Sequence, residues 1–386
     1  MSYRKFASRH LFNGSRFLPG LHLLVTTENG EIIDVLEADE ASGDWEYIEG
    51  ILSPGFINCH CHLELSHLKD RIARQTGMSE FLLQVVGERG GETGQIMAAM
   101  EAAEKEMFNN GIVAVGDICN TDLSIPLKKK SSLLFLNFIE ATGFIPATAG
   151  ARFDSMVGLY QKFIESGLEN SSIVPHAPYS VSSDLFEKIK AFKGNSILTM
   201  HNQESADEEV FLKSGSGDLN KLYKRLNLDI SFFKPTGTSA LQSVIAHFDQ
   251  KSALLLVHNV FTTEEDLEET KSWNIWWCLC PNANQYINGI FPDFELFRKH
   301  RSRVVLGTDS LASNQHLDIL SEMKLIQQHN GEIQTEELLQ WATSNGAEAL
   351  GFSDRLGSFE KGKKPGLIEI QLHENGKLQG KARRIL

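Results

Sequence analysis

The 386-residue sequence predicts an α/β fold: a (β/α)8 TIM barrel over residues 54–357, beside a small composite β-sandwich domain built from residues 1–53 and 358–386. Three observations carry this. Short apolar runs recur along the middle of the chain, amphipathic stretches separate them, and both ends read as turn-rich β segments.

The first end contains HLLVTTENGEIIDVLEA, where Glu28-Asn29-Gly30 marks a hairpin between two strand-like runs. Eight apolar runs follow: GFIN (55–58), IVAVGD (112–117), LLFLNFIE (133–140), SIVPH (172–176), SILTMH (196–201), ALLLVH (253–258), IWWCLCP (275–281) and RVVLGTD (303–309). Continuous apolar runs suit strands buried on both faces, as in parallel sheets. Between them lie helical patterns, including 94–109, 182–192, 262–273 and 317–329. Ser182 and Thr262 open two of these as N-caps, and Thr262 has Glu265 three residues on as a capping box. Strand and helix alternating eight times is the pattern of a barrel, with a doubly wound sheet as the competing arrangement. The last thirty residues return to short strands around an Asn375-Gly376 turn, and the two ends are expected to pair. Lys128 to Lys130 reads as a solvated turn.

Composition narrows the function classes. Thirty-seven basic against fifty acidic side chains give a formal charge of −13, which disfavours nucleic acid or an anionic membrane as the main partner. A small neutral or partly cationic molecule fits better. The amino terminus has no apolar core of a signal peptide, and no apolar run is long enough to cross a bilayer, so a soluble, cytoplasmic protein is expected. Five cysteines, at 59, 61, 119, 278 and 280, are expected to be reduced, and their C-x-C spacing does not match zinc knuckles.

Reacting groups in barrels sit at the C-terminal ends of strands, where the loops converge on the mouth. His176, His201, His258 and Asp309 end four of the runs, and FINCHCHLELSHL (56–68) adds His60, His62 and His67 to the first. Strand side chains alternate faces, so His60 and His62 share one face and Cys59 and Cys61 the other. Since the other strand ends offer imidazole or carboxylate, the histidines are assigned inward and the cysteines to packing. His67 falls past the strand end.

The segments PGFINCHCH, HAPYSVS, HNQES, LVHN, CPNAN and LGTDSLAS, in this order, resemble the amidohydrolase superfamily. The resemblance is to the branch holding cytosine, guanine and S-adenosylhomocysteine deaminases and triazine chlorohydrolases. It covers nearly the whole chain, although Pro365 and Gly366 stand where the family's closing strand usually has Ala and Asp. It implies one divalent metal held by His60, His62, His201 and Asp309, with Zn2+ the default and Fe2+ used by some relatives. The strand-four run offers His176 and no lysine, so a dinuclear centre is not expected. Coordination lowers the pKa of water from 15.7 to roughly 7, and the resulting hydroxide would attack a ring carbon. Asp309 would accept the water's proton, Glu204 would act as general acid and base, and His258 would orient the hydroxide. His176 would face the substrate.

The expected reaction is hydrolytic deamination of a purine-like, nucleoside or triazine-like ring. Glu204 favours an amine over chloride as leaving group, because an amine needs a proton to depart. A cyclic amidohydrolase, a chlorohydrolase and a non-catalytic binding protein are the alternatives. Substrate contacts are sought in Glu64, Arg152 and Phe233, the last with Phe232 in a long insertion between His201 and His258 that suits a lid or pocket wall. As plain core, the two phenylalanines fit equally well. Dimers are common among comparable barrels, so a homodimer is possible, and nothing in the sequence marks an interface.

Overall fold

The computed structural model describes residues 2–37, 44–373 and 375–386. Residues 38–43, part of the expected amino-terminal β segment, lie outside the described residues.

Both chain ends form β-structure. Strands β1 (Tyr3–Ser8), β2 (His22–Thr27), β3 (Ile32–Glu37) and β4 (Glu46–Tyr47) make a four-stranded sheet in the order β3-β2-β1-β4. The β2–β3 hairpin turns where Asn29-Gly30 stands, and Gly30 takes the positive φ of 82° that such a turn needs. Strand β5 (Ile51–Ser53) lies beside β14 (Ile368–Leu372), which pairs in turn with β15 (Leu378–Arg384), so the two ends of the chain share one antiparallel sheet. Phe6, Leu11, Leu24, Ile32, Leu52, Phe359 and Leu367 pack between these segments.

The barrel is formed by β6 (Phe56–Cys61), β7 (Ile112–Cys119), β8 (Leu134–Ala141), β9 (Ser171–Pro175), β10 (Ile197–Asn202), β11 (Ala253–His258), β12 (Ile275–Leu279) and β13 (Val304–Leu306). They run parallel in two four-stranded sheets, β6-β7-β8-β9 and β10-β11-β12-β13. Backbone contacts join the sheets on both sides. The His201 amide donates to the His176 carbonyl at 2.8 Å, and Cys61 and Asp309 form a parallel bridge between β6 and the end of β13. All eight apolar runs are therefore barrel strands, and the fold class is the one the alternation predicts. Apolar side chains fill the inside of the ring and the layer under the helices, in one continuous core.

Two local details differ from expectation. The cap of helix Glu264–Glu269 is Thr263, with Asp266 completing the box, one residue later than predicted. Thr262 instead donates to Gln203 at 2.8 Å. Lys128 is not solvated: it is 4% exposed, because helix Ile125–Lys128 turns it inward to Asp117 of β7. Among the described residues, no helix is long and apolar enough to cross a membrane.

Candidate metal centre and pocket

The centre starts from β6. His60 and His62 project on one side of the chain, while all five cysteines are buried and unpaired in disulfides. Cys59 lies under helix Ser344–Ala349, where an added Cβ on Gly346 would come 3.1 Å from its sulfur. Gly307 shows why this packing is tight: a Cβ there would meet His60 at 2.8 Å and the Cys278 sulfur at 2.9 Å. Burial pushes the Cys59 and Cys61 thiols well up, so they remain neutral packing groups.

The His62 Nε2 lies 3.1 Å from the Nε2 atoms of both His60 and His201. Asp309 Oδ1 stands 3.3 Å from His62 Nε2 and 3.6 Å from His60 Nε2. Burial, as the largest cause, holds the His62 and His201 rings below the usual histidine range, so both are neutral. The His201 Nδ1 lies 2.9 Å from the His176 carbonyl oxygen, which can only accept, so Nδ1 carries the proton and Nε2 presents its lone pair. Three imidazoles and a carboxylate thus converge on one point. That donor set fits a divalent cation, and the carbonyl behind His201 is the kind of outer partner that orients a ligating histidine.

Asp309 is fixed by strained backbone. It takes φ 56°, and its amide donates to the His60 carbonyl at 3.0 Å. Asn58 clamps the preceding Thr308 through both its side-chain atoms, at 2.7 and 3.0 Å. His258 at the end of β11 is also left-handed, with φ 78°. Such values cost of order 1–3 kcal/mol each and cluster where geometry serves a site. Burial alone would raise the Asp309 carboxyl, but the His60 hydrogen bond and the nearby His62 and His258 rings hold it below the carboxylate range.

Glu204 follows β10 and is 5% exposed. Its Oε1 stands 3.4 Å from His258 Nε2. Burial first, then Asp309 and Glu208, push its carboxyl well above the usual range, toward the protonated form. Burial depresses His258 to about 3, and the Asn284 amide faces its Nδ1 at 3.0 Å, locking the ring. Together these groups form the polar floor of a cavity of about 340 Å³. Its walls are apolar: Phe81 and Val85 from helix Met78–Glu88, Phe144 after β8, and Leu222, Tyr223 and Leu226 from the insertion.

The other expected residues separate. His176 lines the cavity, with Nδ1 2.6 Å from Ser180 Oγ. Arg152 stands at its rim, exposed. Glu64 does not line it; its carboxylate accepts from the Asn120 and Thr121 amides at 3.1 Å and ties down the turn after β7. Phe233 is packed against Phe211, rings 4.5 Å apart, inside the insertion's own core, and Phe232 is 43% exposed. Neither of the two lines the cavity, because the insertion's helix Leu219–Arg225 presents Leu222 and Tyr223 to it. Among the cavity residues that escape the sequence reading, Glu140, Asn120 and Arg89 carry hydrogen-bonding or charged groups. Glu140 had a signal, since it ends the third apolar run as His176 ends the fourth.

Comparison with known proteins decides the family. The sequence model of the amidohydrolase family matches residues 51–384. The chain belongs to the amidohydrolase family. An adenosine deaminase of Helicobacter pylori is 28% identical over 336 residues, covering 84% of this chain and 80% of that protein. The crystal structure of H. pylori aminofutalosine deaminase with methylthio-coformycin superposes with a TM-score of 0.84 at 22% identity, covering 99% of this chain and all of that one. An adenosine deaminase from Xanthomonas campestris with bound zinc gives 0.72 at 22% identity, over 96% and 85% of the two chains. This amidohydrolase is accordingly a metal-dependent hydrolase of the aminohydrolase type.

Proposed function

We propose that this amidohydrolase removes the exocyclic amine of an adenine-type nucleoside, releasing ammonia, with one zinc ion held by His60, His62, His201 and Asp309. The observation that carries the reading is Glu204: a buried carboxyl, pushed by burial well above the usual range, beside His258 at the edge of the imidazole and carboxylate cluster. The deaminase names of the similar proteins support it, and so does an apolar cavity that suits a heteroaromatic ring carrying a substituent.

His60, His62, His201 and Asp309 would hold the divalent cation, which when bound would supply Lewis-acid activation of a water molecule. Asp309, held ionised, takes that water's proton as the oxygen attacks the ring carbon. Glu204 delivers its proton to the adjacent ring nitrogen, which neutralises charge as it develops. His258, neutral and fixed by Asn284, orients the attacking oxygen. The proton collected by Asp309 then leaves with the amine, and the hydroxyl proton on the attacked carbon passes to Glu204 as the keto oxygen forms, so one water is consumed, one ammonia released and both carboxyls restored. His176 and the apolar walls hold the ring and keep bulk water out.

The test is ammonia release from adenosine and other adenine nucleosides by zinc-loaded protein, with metal content measured per chain. One zinc per chain and a keto product support the reading. Ring-opened acid without ammonia, or no turnover on any adenine nucleoside, overturns it.

A further inference from the structure

Glu140 is left over by this chemistry. It ends β8, is 6% exposed, and faces the cavity. Its two oxygens differ. Oε2 accepts from Asn120 Nδ2 at 3.0 Å, and Asn120 is itself held on both sides: Glu64 accepts from its amide at 3.1 Å, and Arg89 donates to its side-chain oxygen at 3.2 Å. Oε1 is buried and has no hydrogen-bond partner. The nearest donor, His201 Nδ1, lies 3.6 Å away and is already given to the His176 carbonyl.

A buried carboxylate oxygen without a donor is costly, by about 1–3 kcal/mol or more for a charged group, so an atom held in that state marks a missing partner. A second cation is one candidate, since Glu140, His176 and His201 bring ligand atoms within 4.8 Å of one another. The His201 Nδ1 is a donor to a carbonyl, however, which leaves only two ligands and too few for a cation. A hydrogen-bond donor on the substrate fits better. On an adenine nucleoside the reacting amine lies over Asp309 and Glu204, and the ring offers no other donor. The remaining donors are the sugar hydroxyls. Thr142, Phe144 and Arg152, which follow β8, line the same cavity as Glu140, so the part of the substrate beyond the ring has room beside this carboxylate.

We propose that Glu140 is a specificity-determining residue whose free Oε1 accepts hydrogen bonds from the sugar hydroxyls of the nucleoside, with Asn120 holding the carboxylate in place. Acidic side chains read ribose hydroxyls in the same way in dinucleotide-binding folds. The proposal rests on the nucleoside-deamination reading above.

The experiment compares wild type with Glu140→Gln and Asn120→Ala on adenosine and 2′,3′-dideoxyadenosine, with zinc content measured for each protein. Glu140→Gln keeps the shape and removes the charge, and with its carbonyl oxygen on Asn120 Nδ2 it puts an amide donor where Oε1 accepted. On adenosine its kcat/KM falls roughly tenfold to a hundredfold, mainly through KM. On the dideoxynucleoside it changes less than about twofold, and zinc content is unchanged. Asn120→Ala, which leaves the charge but frees the carboxylate, shows a smaller loss with the same selectivity. Equal losses on both substrates, or loss of zinc, overturn the proposal and make Glu140 a support for His201. Wild type turning over neither nucleoside overturns the deamination reading and this inference with it; turnover with equal losses removes the inference alone.

Discussion

Two clusters of buried charge lie inside this barrel, and they are built on opposite plans. At the mouth, His62, His201, Asp309, Glu204 and Glu140 line open space with His60 buried behind them, and Oε1 of Glu140 faces no protein partner. Deeper in, Lys128 and Asp117 form an ion pair 2.5 Å apart with both side chains fully buried. Lys128 also donates to Asn137 at 2.9 Å and lies 3.0 Å from the Cys119 sulfur, while Asp117 accepts the Leu63 amide at 2.8 Å. Burial would lower the Lys128 ammonium, but Asp117 and Cys119 outweigh it and keep it charged. The mouth is incomplete without a ligand, and the inner pair is complete without one. Buried charge therefore marks function here only where its partners are missing.

That contrast is sharpest in single substitutions. Glu204→Gln removes the proton donor of the mouth, so kcat is expected to fall roughly 10²- to 10⁴-fold while thermal stability holds or rises, because a costly buried acid is gone. Retained activity in this variant would break the comparison at its functional side. Lys128→Met does the reverse. It leaves Asp117 buried and unpaired, and breaking such a pair costs about 3–5 kcal/mol of stability, read by denaturant unfolding, with kcat preserved below the melting range. Lys162→Ala is the control. Its pair with Asp122 is of the same type but has side chains 60% and 45% exposed, so the loss stays within about 1 kcal/mol and fades in high salt.

The sequence makes one plan visible and conceals the other. The mouth residues end an apolar run or follow it within four residues, because parallel strands buried on both faces have only their C-terminal ends free for polar groups. His176, His201, His258 and Asp309 could therefore be found by position. Glu140 ends a run too and went unread, since a lone glutamate matches no ligand pattern. Lys128 was hidden for a different reason. Three consecutive lysines look like a solvated turn, and only the pairing with Asp117, eleven residues away on the preceding strand, draws the first one inward. The cap at Thr263 slipped by one because Thr262 and Thr263 each have an acid three residues on, and burial of Thr262 against Gln203 decides between them. Phe233 was open between ring stacking and core, and the fold of the insertion against Phe211 chose core.

Glu208 stands between the two plans and gives the smallest effect. It is buried, its Oε2 accepts the Glu204 amide at 2.8 Å, and its Oε1 has no partner. Burial, partly offset by backbone donors, raises its carboxyl from 4.5 to about 8. Between those values the folded protein keeps a proton that the unfolded chain has lost, so unfolding releases a proton. Stability from this group is then fully present below pH 4.5, falls as pH rises, and is lost above about 8. The slope from one such group is at most about 1.4 kcal/mol per pH unit. Glu208→Gln keeps an acceptor for the Glu204 amide and removes the titration. Unfolding free energies measured at pH 6 and 7 should therefore converge in the variant relative to wild type. An unchanged difference would show that Glu208 is ionised in the folded state, and would place it with the fully partnered charges of the inner cluster.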